Sequence, residues 1–337
     1  MHFIKAATAA AAAIALLSSA SPSQACSVCL AGDPLYSQHG ASAQEQGQAS
    51  AYIQVQGWRK ESGLLPHEDA GGHEEEAGGH DDEDRGREKN QSQRLDLFLS
   101  WTPVDRLTLN LDIPYAFNQI EEIEGNGERE TNSLDGLGDI AISATGVLWR
   151  NRDVLPSTWV EGRAFLKTPT GRTDRREGGF VDPHLQAGTG SWDFGFGLAV
   201  AHRLEWGSLY TSAFYRENTE GDFDGLDYEY GDTVLWNAAL AVPIGHALKK
   251  PSLEWLTLGA ELNFRWAEKD VVEGRRFDDS GGSILYFTPS VRAQLPWSVR
   301  ERPMALRAAV QLPFTSSWLN GFQDEKEVWS VGLYVPF

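Results

Sequence analysis

The chain has 337 residues and carries 48 Asp plus Glu against 29 Lys plus Arg, a formal net charge of −19 at pH 7. That balance argues against nucleic acid as a partner, because a phosphate backbone selects basic surfaces. With 41% apolar residues and 12 Trp the chain is too rich in buried-type residues to be disordered overall. No apolar run of about 20 residues follows the N-terminal segment, so no helix is expected to cross a membrane.

Residues 1–25 read as a secretory signal peptide: Lys5 supplies the positive region, an Ala-rich run through Leu17 the apolar region, and Ser23-Gln24-Ala25 a small-x-small cleavage site. Residues 26–49 then form a periplasmic N-terminal tail. It holds the two cysteines of the chain, Cys26 and Cys29, in a Cys-x-x-Cys spacing. Leu30 follows where a c-type haem site has His, which excludes covalent haem attachment. In an oxidising compartment the pair can close into a small disulfide, exchange electrons with a thiol oxidoreductase, or hold a metal with outside ligands. Acylation of Cys26 is the weaker reading, because Ser23 stands where a lipobox has an aliphatic residue.

From residue 50 onward the dominant signal is alternation with period two. Leu107, Leu109, Leu111, Ile113, Tyr115 and Phe117 alternate with Thr108, Asn110, Asp112, Pro114, Ala116 and Asn118, giving one dry and one wet face. The pattern returns over 256–266 and 306–314. Each run is about 10 residues, enough to cross a bilayer at barrel tilt and longer than the usual soluble strand. Such runs fall at 50–59, 93–104, 107–121, 139–150, 158–169, 190–204, 208–218, 234–244, 255–268, 283–296, 304–318 and 328–337. Twelve is an even number, so both ends of the barrel portion, 50–337, fall on the periplasmic side. The fold class expected is all-β: a transmembrane antiparallel up-and-down β-barrel of about 12 strands in outer-membrane lipid.

The connections alternate in the matching sense. Val104-Asp105-Arg106, Glu205-Trp206-Gly207 and the stretch from Pro296 to Pro303 are short turns; 60–92, 122–138, 170–189, 219–233, 269–282 and 319–327 are mostly longer, polar surface loops. Within the first loop, residues 61–90 carry 11 acidic residues against three basic ones, with His67, His73 and His80 spaced through glycines. Imidazole with carboxylate suits a divalent metal, and Gly-Gly joints allow convergence; a solvated acidic loop is the plainer reading. No other cofactor is implied. Trp58, Trp101, Trp149, Trp159, Trp192, Trp236, Trp266 and Trp329 fall near strand ends, where an amphipathic ring sits at headgroup level.

The last eight residues, SVGLYVPF, close the pattern. Ser330, Gly332, Val335 and Phe337 stand where the C-terminal assembly signal of bacterial outer-membrane barrels has its polar, glycine, apolar and terminal aromatic residues. That likeness implies the outer-membrane assembly machinery of a Gram-negative bacterium as a partner. In such a strand Trp329, Val331, Leu333, Val335 and Phe337 face lipid and Ser330, Gly332 and Tyr334 face inward.

Three segments, LDGLGDIAISATGVLW at 134–149, LKTPTG at 166–171 and GTGSWDFGFGLAVAHRL at 188–204, resemble the family of outer-membrane transporters named for the MetA pathway of phenol degradation. The resemblance spans about 95 to the end. It implies a channel-like protein for small solutes, often hydrophobic or aromatic, with no catalytic residues to carry over. The competing class is a metal-handling or electron-transfer-linked surface protein that uses the His-bearing loop and Cys26 with Cys29.

If the registers hold, Glu161, Arg163, Lys167, Arg203, Arg216, Glu261, Arg265, Arg292 and Arg307 line the lumen. Rings of charge select ions and polar solutes; in a narrow barrel, opposite charges on facing strands can also pair and fill the interior. An enzyme is not expected. There is no Gly-x-Ser-x-Gly, and His202, alone of the mature histidines in a predicted strand, has no carboxylate or amide two residues away to orient it.

Overall fold

A computed structural model of the chain describes residues 46–62, 87–123, 129–176, 181–278, 280–315, 319–320 and 323–337. The wall strands run in chain order: β1 Ala49–Ser62, β2 Arg87–Val104, β3 Leu107–Ile123, β4 Arg129–Leu137, β5 Ala141–Arg150, β6 Thr158–Lys167, β7 Asp193–Arg203 and β8 Ser208–Glu217. Two short strands follow, β9 Gly221–Asp222 and β10 Asp227–Glu229, then β11 Thr233–Pro243 and β12 Leu256–Ala267. The remainder are β13 Val271–Val272, β14 Arg275–Arg276, β15 Gly282–Val299, β16 Arg302–Thr315, β17 Gln323–Glu325 and β18 Val328–Pro336.

Every wall strand pairs antiparallel with its sequence neighbour, and β18 returns to pair with β1 from Ser50↔Pro336 to Gly57↔Trp329. The sheet is therefore a closed barrel of 12 strands, with β4 and β5 together forming the fourth and β17 with β18 the twelfth. Closure removes the bare edges that an open sheet would expose. Where the wall seals, two aromatic rings lie across glycines. A Cβ on Gly57 would stand 2.8 Å from the Trp329 indole outside, and one on Gly332 would collide with the Tyr52 ring inside.

Alternation sets the two faces. On β12, Leu258, Leu262 and Trp266 are exposed on the outer face while Glu261, Asn263 and Arg265 are buried on the inner one. On β2 the buried even positions run from Asn90 to Thr102 as the odd ones, Leu95, Leu99 and Trp101, look outward. Exposed Trp101, Trp149, Trp206, Trp255 and Trp297 gather at one end of the strands and Trp192, Trp236 and Trp266 at the other, the two girdles of a membrane barrel. Trp58 and Trp159 depart from the expected headgroup placement. They sit at inner-face positions and are only 4% and 3% exposed, Trp58 against Ile284, Tyr286 and Val328, Trp159 with its indole N–H on Glu161 at 2.9 Å.

At the short-turn end Arg300 and Glu301 both have positive φ, 48° and 65°, which is the backbone of a tight primed turn whose twist matches the strands it joins. The β11–β12 connection instead carries a short helix, α1, Ile244–Ala247, and a 3-10 turn at Pro251–Leu253. The long-loop end is more ordered than its composition suggests. Parts of the expected loops 60–92 and 122–138 are strand: β1 reaches Ser62, β2 starts at Arg87, and β4 occupies 129–137. Strand that rises above the bilayer meets water on both faces, so its sequence loses the alternation by which it was sought. The loops at 219–233 and 269–282 pair into a separate four-stranded sheet, β9, β10, β13 and β14.

Candidate functional site in the barrel interior

The inner wall is lined mainly by polar and charged side chains, many of which pair with one another. Arg307 reaches Glu261 at 2.7 Å, Arg94 meets Asp96 at 2.5 Å, and Arg265 pairs with Glu325, which also accepts from the Tyr286 hydroxyl. Amides fill the spaces between: Asn263 Nδ2 donates to Asn237 Oδ1 at 2.8 Å, and Thr288 Oγ1 to Asn263 Oδ1 at 2.6 Å. A second chain runs from Ser100 Oγ to Asn110 Oδ1 at 2.8 Å, and Arg163 donates to Ser143 at 3.3 Å. Burying such groups is tolerable only when they hold one another. A cavity beside this chain is lined by Phe98, Ser100, Asp112, Ser143, Arg163 and Phe165, among others.

The residues expected to line the lumen all occupy inner-face positions, in different surroundings. Glu161, Arg163, Lys167, Glu261, Arg265 and Arg307 are buried. The Arg163 guanidinium lies 5.6 Å from the Phe214 ring centre and 6.0 Å from that of Phe165. Arg216 is half-buried near the loop end of β8. Arg203 and Arg292 are exposed towards the short-turn end, over Trp159 at 5.9 Å and Tyr334 at 5.8 Å. His202 sits on the outer face, its Nδ1 2.8 Å from the Thr158 hydroxyl. Val335 pairs with Ala51, and the Phe337 N–H donates to the Ala49 carbonyl at 2.8 Å. Cys26, Cys29, His67, His73 and His80 lie outside the described residues.

At the loop end the chain between β6 and β7 turns back into the barrel mouth. Leu185 packs on Ile120 and Leu134, and the Asn118 amide, from the inner face of β3, donates to the carbonyls of Leu185 and Gln186 at 3.2 and 2.8 Å. One charged cluster fastens this loop. Lys167 Nζ meets Asp193 at 2.5 Å and Asp139 at 3.4 Å and donates to the Thr189 hydroxyl; Asp139 accepts from the backbone N–H of Gly171 at 2.9 Å and of Thr189 at 2.8 Å. Ser191 completes it by donating to Asp193 at 2.8 Å. The Cα of Gly188 would lie 2.5 Å from a Cβ at position 171, so two backbones cross where only glycines fit.

Asp139, Lys167, Gly171, Gly188, Thr189 and Asp193 belong to the three segments quoted above, which are far apart in sequence and meet here. Alternation pointed to Lys167 alone. Asp139, the first residue of the run expected at 139–150, sits in the Gly138–Ile140 interruption between β4 and β5, and Thr189 precedes β7, so neither is placed on a face by its strand.

Above this cluster the 219–233 and 269–282 loops pack together. Phe223, Tyr228 and Tyr230 form a buried aromatic group with Val181, Leu226 and Val272, and His184 meets the Tyr228 and Tyr230 rings edge-on. Burial pushes the Asp182 carboxyl up, but hydrogen bonds to His184 and its charge outweigh this and hold it below the usual carboxylate range. Burial, then the charges of Asp232, Glu220, Glu268 and Glu217, push the Glu229 carboxyl above it.

No family model matches the sequence, and no curated protein matches it. The fold is shared with the crystal structure of an outer-membrane channel from Pseudomonas putida F1, at a TM-score of 0.62 and 14% identity over 88% of this chain and 98% of that one. The translocator domain of the autotransporter NalP from Neisseria meningitidis aligns at 0.45 and 11%, over 89% and 92%. A FadL homologue from Pseudomonas aeruginosa aligns at 0.43 and 10%, over 86% and 90%. At these identities the likeness is one of fold, and that fold is a Gram-negative outer-membrane barrel.

Proposed function

We propose that this outer-membrane barrel is a passive channel for small solutes, aromatic compounds among them, and that it belongs with the MetA-pathway transporters its three loop-end segments resemble. The observation that carries the reading is an inner wall lined mainly by polar and charged side chains inside an apolar outer belt. Arginine and tyrosine on that wall offer a planar solute both charge and stacking faces. The likeness to an outer-membrane channel over 98% of its length supports the same reading.

The test is electrical. The purified full-length protein, reconstituted in a planar lipid bilayer in potassium chloride, should give discrete conductance steps. A protein that inserts, migrates as a heat-modifiable barrel and passes no current would overturn the proposal.

A further inference from the structure

Arg292 on β15 and Arg307 on β16 are direct cross-strand partners on the inner face. Like charges placed opposite one another destabilise a sheet, so such a pair calls for an anion. Glu261 supplies one carboxylate, 2.7 Å from Arg307 Nη2. It leaves one positive charge over. Arg307 is 8% exposed, and its Nη1 has no hydrogen-bond partner among the described residues. Arg292 is exposed within the barrel and has no ion pair among the described residues; its neighbour is the Tyr334 ring at 5.8 Å. A buried guanidinium donor with nothing to donate to is costly, and a second guanidinium beside it makes the cost larger.

The floor of this corner is aromatic. Gly332, the partner of Arg307 on β18, has no side chain, and the Tyr52 ring lies over it. Tyr52 in turn stacks with Phe98 at 6.0 Å. Two guanidinium groups next to two tyrosine faces present a fork for a carboxylate and a surface for a ring. We infer that Arg292, Arg307, Tyr52 and Tyr334 form an anion subsite near the periplasmic end of the lumen, and that its ligand class is the small aromatic carboxylate. The inference rests on the channel reading and names the solute class.

Arg292 is the residue to change, because it is exposed and has no ion pair among the described residues. In bilayers bearing the full-length protein, benzoate should block the chloride current, and benzyl alcohol, the same ring without the charge, should block far less. Arg292→Gln should raise the half-blocking benzoate concentration roughly tenfold, as expected for loss of a charge-assisted contact, with Arg292→Lys in between. In a salt gradient the reversal potential of wild type should show anion preference, reduced by Arg292→Gln. If the protein conducts but benzoate and benzyl alcohol act alike, or Arg292→Gln leaves the block unchanged, the subsite is refuted and the channel stands. If no current passes in plain potassium chloride, both fall.

Discussion

A single lysine organises the loop end of the lumen. Lys167 is 8% exposed and shared between Asp139 and Asp193. Replacing it with Met leaves two carboxylates buried without their cation, a change that typically costs about 3–5 kcal/mol. We expect Lys167→Met to lower the urea midpoint, to raise hydrogen exchange at 185–191 and to leave the mid-strand amides protected. Uniform protection across 185–191 would show that Leu185 and Asn118 hold the loop without it. How much of this residue chemistry was legible follows from the geometry. Arg163, Glu261 and Arg307 lie mid-strand, where parity alone decides the face. Trp58 and Trp159 obey the same parity, but their place near strand ends suggested a girdle. Asp139 and Thr189 act from irregular backbone, where no periodicity exists to read.

At the scale of the strands, the outer and inner faces should respond oppositely to charge. Arginine at Leu258 or Leu262 should cost about 2–4 kcal/mol if it lies near the bilayer midplane, whereas Thr257→Arg, on the inner face, should cost far less and alter conductance instead. Folding titrations into lipid vesicles distinguish the two; equal penalties would mean the face assignment is wrong. The β1–β18 pairing has its own requirement. A methyl on Gly332 must displace the Tyr52 ring, so Gly332→Ala should destabilise by about 1–3 kcal/mol. Adding Tyr52→Leu should recover part of that loss, a coupling that a double-mutant cycle measures. Each of the 12 runs in the sequence corresponds to a wall strand. Their loop-end extensions and the small sheet β9, β10, β13 and β14 were not foreseen, since two- and three-residue strands are held by loop packing rather than by pattern.

Across the molecule, the cap over the mouth joins two groups with opposite pH dependence. Glu229 has a raised pKa, so its contribution is complete below the ordinary glutamate range and is lost as pH rises through the folded value. Asp182 has a lowered pKa, so its contribution is present above the ordinary aspartate range and is lost as pH falls through the folded value. Cap stability should therefore be greatest in mildly acid solution, around pH 4 to 5 given reference values of about 3.9 and 4.3. Hydrogen exchange at 221–230, corrected for the intrinsic rate, should be slowest there and rise towards pH 8, and Glu229→Gln should flatten the upper limb. A profile flat from pH 5 to 8 in wild type would deny Glu229 this role.

The pairing of Ser50 with Pro336 also dictates an order of events. The other wall contacts join neighbours along the chain and can form hairpin by hairpin. This one must bring together opposite ends of a long polymer. The entropy of closing such a loop grows only with the logarithm of its length, so the closing step is thermodynamically modest but late. Until it occurs the nascent sheet has two bare edges and an apolar outer face, the combination most prone to joining another copy. Assembly speed and aggregation thus compete at a single interface, and a sequence change there would show first as lost yield rather than as lost stability of the finished barrel.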